Sequence, residues 1–436
     1  MPAERPEKSE RPGVLIAGDF GFPYGTGASS RVFNYARGLQ AAGARVKVLC
    51  VEPSEHAETP LNTDARGTYR GVPFEYTYGR TARPPARVQR RLLKVAKWWR
   101  FLRSVRAFDA AGDGVDAVII YSRSTAWILA ARLACEVTGA LLIHEDCELP
   151  FVWKRETASL RARRWLYEYL VFKTFDGCLV ISSYLRDYCH RHLRRGARTL
   201  LVPILVDVSD FAAADEGEGV EERIVFCGSL SHPEVRTVIE SFADLAPDYP
   251  GLELLLVGGS VHPEVVPDVW DLTRRLGVAE RVRSTGKVKR DELPAILRSA
   301  RVLVLPRPAG AFSDAGLPTK VGEYLATGRP VVMTRNGDIA RYLEDGIDAF
   351  LVAPDDSQAF TDAVRYVLEH EREASEVGAH GCATAAARFD PSRHGERIVE
   401  FIAELTASQR RLSGGFFGRP RPASVARDPD RERSRS

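Results

Sequence analysis

The stretch from Ala315 to Asp338, AGLPTKVGEYLATGRPVVMTRNGD, sets Gly316, Leu317, Pro318 and Thr319 ahead of Lys320, with one acid, Glu323, a turn further on. A lysine sits poorly at the positive end of a helix dipole unless an anion shares the place. Pro318 is suited to start a helix. The free amides that follow, with Lys320, make a seat for phosphate. Glu323 lies about 5 Å up the helix axis, where a carboxylate accepts hydrogen bonds from sugar hydroxyls. Phosphate and ribose side by side describe a nucleotide.

Other short segments offer similar chemistry. GDFGFPYGTGASSR (18–31) is a glycine loop in which Gly27 lets a ligand approach the backbone before a helix opens at Ala28-Ser29-Ser30. Ser30 stands where a dinucleotide fingerprint needs its third glycine, so a flexible connection is the plainer reading of that loop. LLIHEDCELP (141–150) clusters His144, Glu145, Asp146 and Glu148 at the end of an apolar run. Such a cluster is a candidate for acid-base or hydroxyl-binding work, or else a solvated loop with capping carboxylates. One histidine with three acids has no clear metal-ligand spacing, so no metal is expected. FCGSLSHPEVR brings Gly228, Ser229, His232 and Arg236 together, and STGKVKRDEL brings Lys287 and Val288.

Each of these segments follows a short apolar run. The runs 13–19, 45–52, 116–122, 140–146, 177–183 and 198–207 alternate with helical patterns, as do 223–231, 252–260, 281–288, 300–307, 329–335 and 349–354. That is a doubly wound α/β pattern repeated twice, in which ligands sit at the carboxyl ends of the strands. The expected division is a disordered start (1–12), a first Rossmann-like domain (13–209), an acidic linker (210–222), a second Rossmann-like domain (223–392), a last helix (393–412) and a disordered tail (413–436).

The 436 residues, 44% apolar, are enough for two cores, and the net charge of +3 favours no polyanion. Seven scattered cysteines without paired spacing fit a reduced compartment. No apolar run is long enough to span a bilayer and no signal core opens the chain. The expectation is a cytoplasmic protein, peripheral at most at the inner face of the membrane.

The segment GLPTKVGEYLATGRPVVMTRNGDIARYLEDGIDAFLVAPDD resembles the donor-domain signature of retaining glycosyltransferases of family four, which have the GT-B fold. The resemblance extends through RIVFCGSLS, LELLLVGG, GKVKRDELPAILRSARVLVLP and CLVISSYLRDY. It implies an N-terminal acceptor domain, a C-terminal nucleotide-sugar domain and a last helix, 394–405, that crosses back. It implies that Glu323 holds the ribose hydroxyls and that His144 faces the transferred sugar as a catalytic group. Gly316 and Leu317 would meet the diphosphate or sugar, and Lys287–Val288 would hold the base. Glu145 and Glu148 are expected on the acceptor side. The family's first glutamate is replaced by Ala315, and Asp314 is out of register. Ser229 stands at an arginine position, so Arg236 or Lys320 would have to supply the charge.

The basic stretch 80–108 contains no acid and places Leu92, Val95, Trp99, Leu102 and Val105 at helical spacing. A membrane-surface helix and a helix docked on its own domain both fit that pattern. No nucleic-acid-binding motif is present. The sequence reading is a metal-independent, retaining glycosyltransferase that takes a nucleotide diphosphate sugar and a glycan, glycolipid or small-molecule acceptor. The leading alternative is a non-catalytic GT-B subunit that scaffolds a partner, and a dehydrogenase is a distant third.

Overall fold

The computed structural model describes residues 11–417 apart from short stretches at 26, 56–57, 59, 84–86, 113, 150–156, 213–219 and 260–265. Most of the expected linker and of both expected disordered ends therefore lies outside the described residues, but 413–417, expected in the tail, continue the last helix.

The first half is an eight-stranded sheet. Its elements are β1 (Gly13–Gly18), α1 (Gly27–Ala41), β2 (Arg45–Cys50), β3 (Arg66–Tyr69), β4 (Val72–Tyr76), α2 (Arg87–Ala110), β5 (Ala117–Tyr121), α3 (Thr125–Thr138), β6 (Leu141–Asp146), α4 (Ala158–Leu166), β7 (Gly177–Val180), α5 (Ser183–His192) and β8 (Arg198–Leu201). The order across the sheet is β3-β4-β2-β1-β5-β6-β7-β8, parallel except for the β3–β4 hairpin. That hairpin was not expected from the sequence. It turns at Arg70 and Gly71, both at positive φ.

The second half is a six-stranded parallel sheet, ordered β11-β10-β9-β12-β13-β14. It is built from β9 (Arg223–Cys227), α6 (Glu234–Leu245), β10 (Glu253–Val257), α7 (Val266–Arg275), β11 (Val282–Gly286), α8 (Leu293–Arg298), β12 (Val302–Leu305), α9 (Ala311–Ala315), α10 (Thr319–Leu325), β13 (Val331–Thr334), α11 (Ile339–Tyr342), β14 (Phe350–Val352), α12 (Ser357–Glu369) and α13 (Glu371–Arg388). Both sheets are covered by helices on two faces, which explains why their strands read as continuous apolar runs. In each sheet the strand order reverses beside the first strand, and such switch points open a crevice at the carboxyl ends.

The last helix, α14 (Pro391–Phe417), runs beyond the expected end and lies across α1. Ile398, Phe401, Ile402 and Leu405 are buried there in the core of the first half. The two helices touch through glycine. A Cβ on Gly38 would stand 2.0 Å from the Pro391 carbonyl oxygen, and one on Gly395 would stand 2.0 Å from that of Gly38.

The helix α2 docks on the first domain through Phe101, Val105 and Phe108, with Trp98 packed 4.8 Å from Trp127. The expected stripe is therefore rotated. Val105 is buried and Leu102 is partly so, but Trp99 is 64% exposed. Leu92 and Val95 lie outside the residues whose side chains are described.

Candidate active site

The cleft wall of the second domain is made by loops that follow β9, β10, β11 and β12. Gly228 follows β9, and the position of a Cβ there lies 3.5 Å from Lys320 Cε, so the missing side chain leaves room for the lysine. Gly258, at φ +130°, packs on the Gly228 carbonyl with only 2.2 Å to spare for a Cβ, which no other residue could tolerate. The stem of Lys287 lies against Gly259, its Cγ 3.0 Å from a Cβ position there. Val288, beside it, packs partly buried against the core. Ser229 shares a hydrogen bond of 2.9 Å with Ser231 in the turn after β9. Pro318 is the extended residue that precedes α10, with Thr319 and Lys320 as its first two positions. Tyr324 ties α10 to β9, its hydroxyl accepting from the Cys227 amide at 2.7 Å. Burial pushes the Cys227 thiol up to about 12, with Lys320 pulling it down and Glu323 pushing it further up.

The facing wall comes from α1. A Cβ on Gly27 would lie 3.1 Å from Thr319 Oγ1, so the starts of α1 and α10 confront each other. Glu323 is 9% exposed, and its Oε1 accepts from Ser30 Oγ at 3.1 Å. Arg290 also reaches Ser30 Oγ and stacks over Phe33 at 4.8 Å. Farther out, Asp291 accepts from Tyr69 at 2.9 Å and from Arg70 at 2.7 Å. On the opposite side of α10, Ser182 donates to the Ala315 carbonyl at 2.6 Å, and Asp338 accepts from the Ser183 amide and hydroxyl.

Three of the sequence-derived site residues do not reach this cleft. His144 was expected after its strand, but β6 continues through Asp146, and alternation turns the imidazole into the helix-side core. It is 1% exposed, stacks 4.5 Å from Phe175, and spends its nitrogens on the Ile120 carbonyl (3.3 Å) and Tyr167 (3.2 Å). Burial lowers it to about 3, so it is neutral and cannot face a sugar. Glu145 points the other way and is 4% exposed, accepting from Arg31 Nε at 2.5 Å. Burial raises its carboxyl, with Arg31 acting against that. Arg31 also donates to the carbonyls of Pro203 and Val202, so this pair fastens α1 to the segment after β8. Arg236 lies on the outer face of α6, its side chain 69% exposed and paired with Glu240 at 2.8 Å. Glu148 does open toward the cleft, half-exposed and paired with Arg123 at 3.1 Å.

Where Arg236 turns away, Arg307 brings a cation to the Gly316 loop. Arg307 follows β12 and is 5% exposed. Its Nε pairs with Glu234 Oε1 at 3.3 Å, and its Nη1 lies 3.5 Å from a Cβ position on Gly316. Burial lowers its guanidinium, with Glu234 countering. His232 stands nearby and is held low by burial, with Lys320 and Arg307 adding to that against Glu234. The run LPRPAG carries the signal, because Arg307 follows a strand end as Gly228 and Lys287 do. Lys320 and Arg307 flank the Gly316–Leu317 loop, and Glu323 lies one turn deeper. Among the described residues no group of three His, Cys, Asp or Glu side chains is arranged to hold a metal ion, and no helix is long and apolar enough to cross a membrane.

Two family profiles match this chain. Glycosyl transferase 4-like domain matches residues 26–204, and Glycosyl transferases group 1 matches residues 221–370. The chain belongs to the group 1 glycosyl transferases of family-four type. The second profile begins just before β9 and spans the whole cleft wall of the second domain. Among curated relatives, the GDP-mannose-dependent α-(1-6)-phosphatidylinositol monomannoside mannosyltransferase of Mycolicibacterium smegmatis is 32% identical over 240 residues. That alignment covers 52% of this chain and 62% of the relative, under two thirds of its length. Sucrose-phosphate synthase from Thermosynechococcus elongatus aligns at TM-score 0.68 with 18% identity, over 91% of this chain and all of the other. Anabaena HepE in complex with UDP and glucose aligns at 0.66 with 16% identity, over 90% and 100%. These likenesses give the fold, GT-B.

Proposed function

We propose that this protein transfers a sugar from a nucleoside diphosphate sugar to an acceptor, with retention of anomeric configuration. The observation that carries the reading is the convergence of Lys320, Arg307 and Glu323 around the Gly316–Leu317 loop, at the switch point of the second sheet and opposite Gly27–Ser30. Two cations with the neighbouring amides would neutralise the leaving diphosphate, so the chemistry asks for no divalent metal. Glu323 would accept from the ribose diol, and the Ser30 hydroxyl now bonded to it stands in for a ligand hydroxyl. Glu148 and Arg123, across the cleft, would meet the acceptor. A glycolipid acceptor is the class to try first, because the mycobacterial relative is named for one and for GDP-mannose. A role in polysaccharide or glycoconjugate synthesis follows from that class.

One observation favours a second reading. Ala315, where the family carries its first glutamate, is wholly buried, and its carbonyl is taken by Ser182. A subunit that binds nucleotide and scaffolds a partner without turnover would fit that loss. Calorimetry with UDP and GDP in the presence of a chelator, followed by turnover of UDP-glucose and GDP-mannose with product anomers read by NMR, tests both readings. Failure of the folded protein to bind either nucleotide sinks both. Binding without turnover over a panel of donors and acceptors leaves the scaffold.

A further inference from the structure

The helix layer on the far side of the first domain leaves large apolar side chains uncovered. Leu129, Leu133 and Val137 stand at intervals of four along α3, each about half-exposed. Trp165 and Leu166 of α4 are exposed too, as are Tyr169 and Leu170 of the π-helical turn Tyr167–Val171 that follows it. Trp165 and Tyr169 stack at 5.9 Å. The π-helical turn packs beside α3, and α2 packs beside it too, which brings the exposed Trp99 into the same layer. Monomeric proteins seldom leave so large an apolar area open.

The charge around it has one sign. Between Ala158 and Leu166, α4 carries Arg161, Arg163 and Arg164 and no acid. Lys173 is exposed one turn past the patch, and Arg103 and Arg106 are exposed beside Trp99. Glu168 turns inward, 7% exposed, and accepts from Tyr188 and Arg164. Glu136 is exposed but matched by Arg132 at 2.8 Å.

From this combination we infer that the outer face of α3 and α4 docks on an anionic lipid bilayer. Tryptophan and tyrosine suit the headgroup level, leucines suit the acyl boundary, and the arginines meet anionic headgroups. A second copy related by a two-fold axis would set these arginines against each other, which argues for lipid over self-association. Because α3 follows β5 and α4 follows β6, both helices start at the carboxyl ends of the sheet, where the cleft opens. Docking by this face therefore lays the rim of the cleft along the membrane surface. None of these side chains lines the donor wall, so the inference stands apart from the proposed nucleotide site.

The test is flotation of the full chain with phosphatidylcholine vesicles, with and without phosphatidylglycerol, at low and high salt. Binding is expected only with phosphatidylglycerol and should weaken with salt. Arg161→Gln with Arg163→Gln should weaken it roughly thirtyfold, because the attraction of each arginine to an anionic surface is worth about a fivefold factor in partitioning. Trp165→Ser with Leu170→Ser should abolish it even at low salt. Both variants change exposed positions, so melting temperature and UDP binding should match the parent. Equal partitioning to both vesicle types overturns the inference, as does undiminished binding by both variants. A wild-type dimer in light scattering that Trp165→Ser turns into a monomer also overturns it, since the face would then be covered by a second copy.

Discussion

Arg307→Met tests the cation that replaces the one expected from the sequence. The Arg307 and Glu234 side chains are 6% and 8% exposed and pair at 3.3 Å. Methionine keeps much of the volume but strands Glu234 as a buried carboxylate, which costs about 3–5 kcal/mol of stability. Adding Glu234→Gln removes the stranded charge, and replacing both members of a buried pair is often close to neutral. Denaturant unfolding of the parent, both single variants and the double variant closes the cycle, with a coupling that returns most of the loss. Nucleotide binding then separates structure from function. The double variant folds but presents no guanidinium to the Gly316 loop. Loss of a charge-assisted hydrogen bond, about 1.5–3 kcal/mol, should weaken UDP roughly ten- to a hundredfold and leave uridine unchanged. If the double variant binds UDP like the parent, Arg307 only buttresses the loop and the diphosphate is held elsewhere.

Glu323→Gln should weaken nucleotide binding roughly ten- to a hundredfold with the melting temperature held, because it removes the charge from one hydrogen bond. Parent-like affinity in calorimetry would leave Glu323 as no more than the partner of Ser30. Gly38→Ala drives a methyl into the Pro391 carbonyl, so it should destabilise by about 1–3 kcal/mol or more in chemical denaturation. An unchanged midpoint would mean that α1 and α14 part more easily than their packing suggests. His144 is held at about 3 instead of 6.5, so the folded state refuses a proton that the unfolded chain accepts. Its contribution is present above pH 6.5 and is lost as pH falls toward 3, at up to about 1.4 kcal/mol per pH unit. Burial raises Asp146 to about 7, which works with the opposite sign: its contribution is full below 3.8 and is lost as pH rises toward 7. The difference between parent and His144→Phe isolates the histidine. The variant should gain on the parent steadily from pH 6.5 to pH 4.5, and parallel curves would refute the assignment.

Strand ends were the informative feature of the sequence, because an apolar run that closes on Gly or Lys marks where a parallel sheet stops. Gly228 and Lys287 are legible in that way and Lys320 from the helix start after Pro318, and all three lie on the cleft wall of the second domain. His144 and Glu145 differ from the sequence expectation because polar residues need not mark a strand's exposed end: β6 buries LLIHED entire. What makes Glu145 tolerable inside is Arg31, more than a hundred positions earlier, and what holds His144 is the Ile120 carbonyl and Tyr167; no local pattern announces those partners. Arg236 could have been set aside from sequence, since Val235, Val238, Ile239 and Phe242 already claim the inner face of α6. The stripe on α2 failed differently. Two overlapping apolar rows were available, and only the pocket around Trp127 selects Trp98 over Trp99. The hairpin β3–β4 was missed because a short edge strand needs no long apolar run.

The chain passes between the two halves twice, after β8 and again after α13, and these passages run side by side. The Val206 amide donates to the Phe389 carbonyl at 2.9 Å, and Gly322 of α10 lies on Ile204 and Val206. Two covalent ties at one end of a cleft leave the halves free to rotate chiefly about that line, as covers turn about a spine. Displacement then grows with distance from the spine. The contacts of Asp291 with Tyr69 and Arg70 are solvent-exposed, and an exposed ion pair is worth only about 0–1 kcal/mol. Arg70 also pairs with Asp210, on the passage after β8, at 3.0 Å, so this margin lies beside the spine and is displaced little when the halves turn.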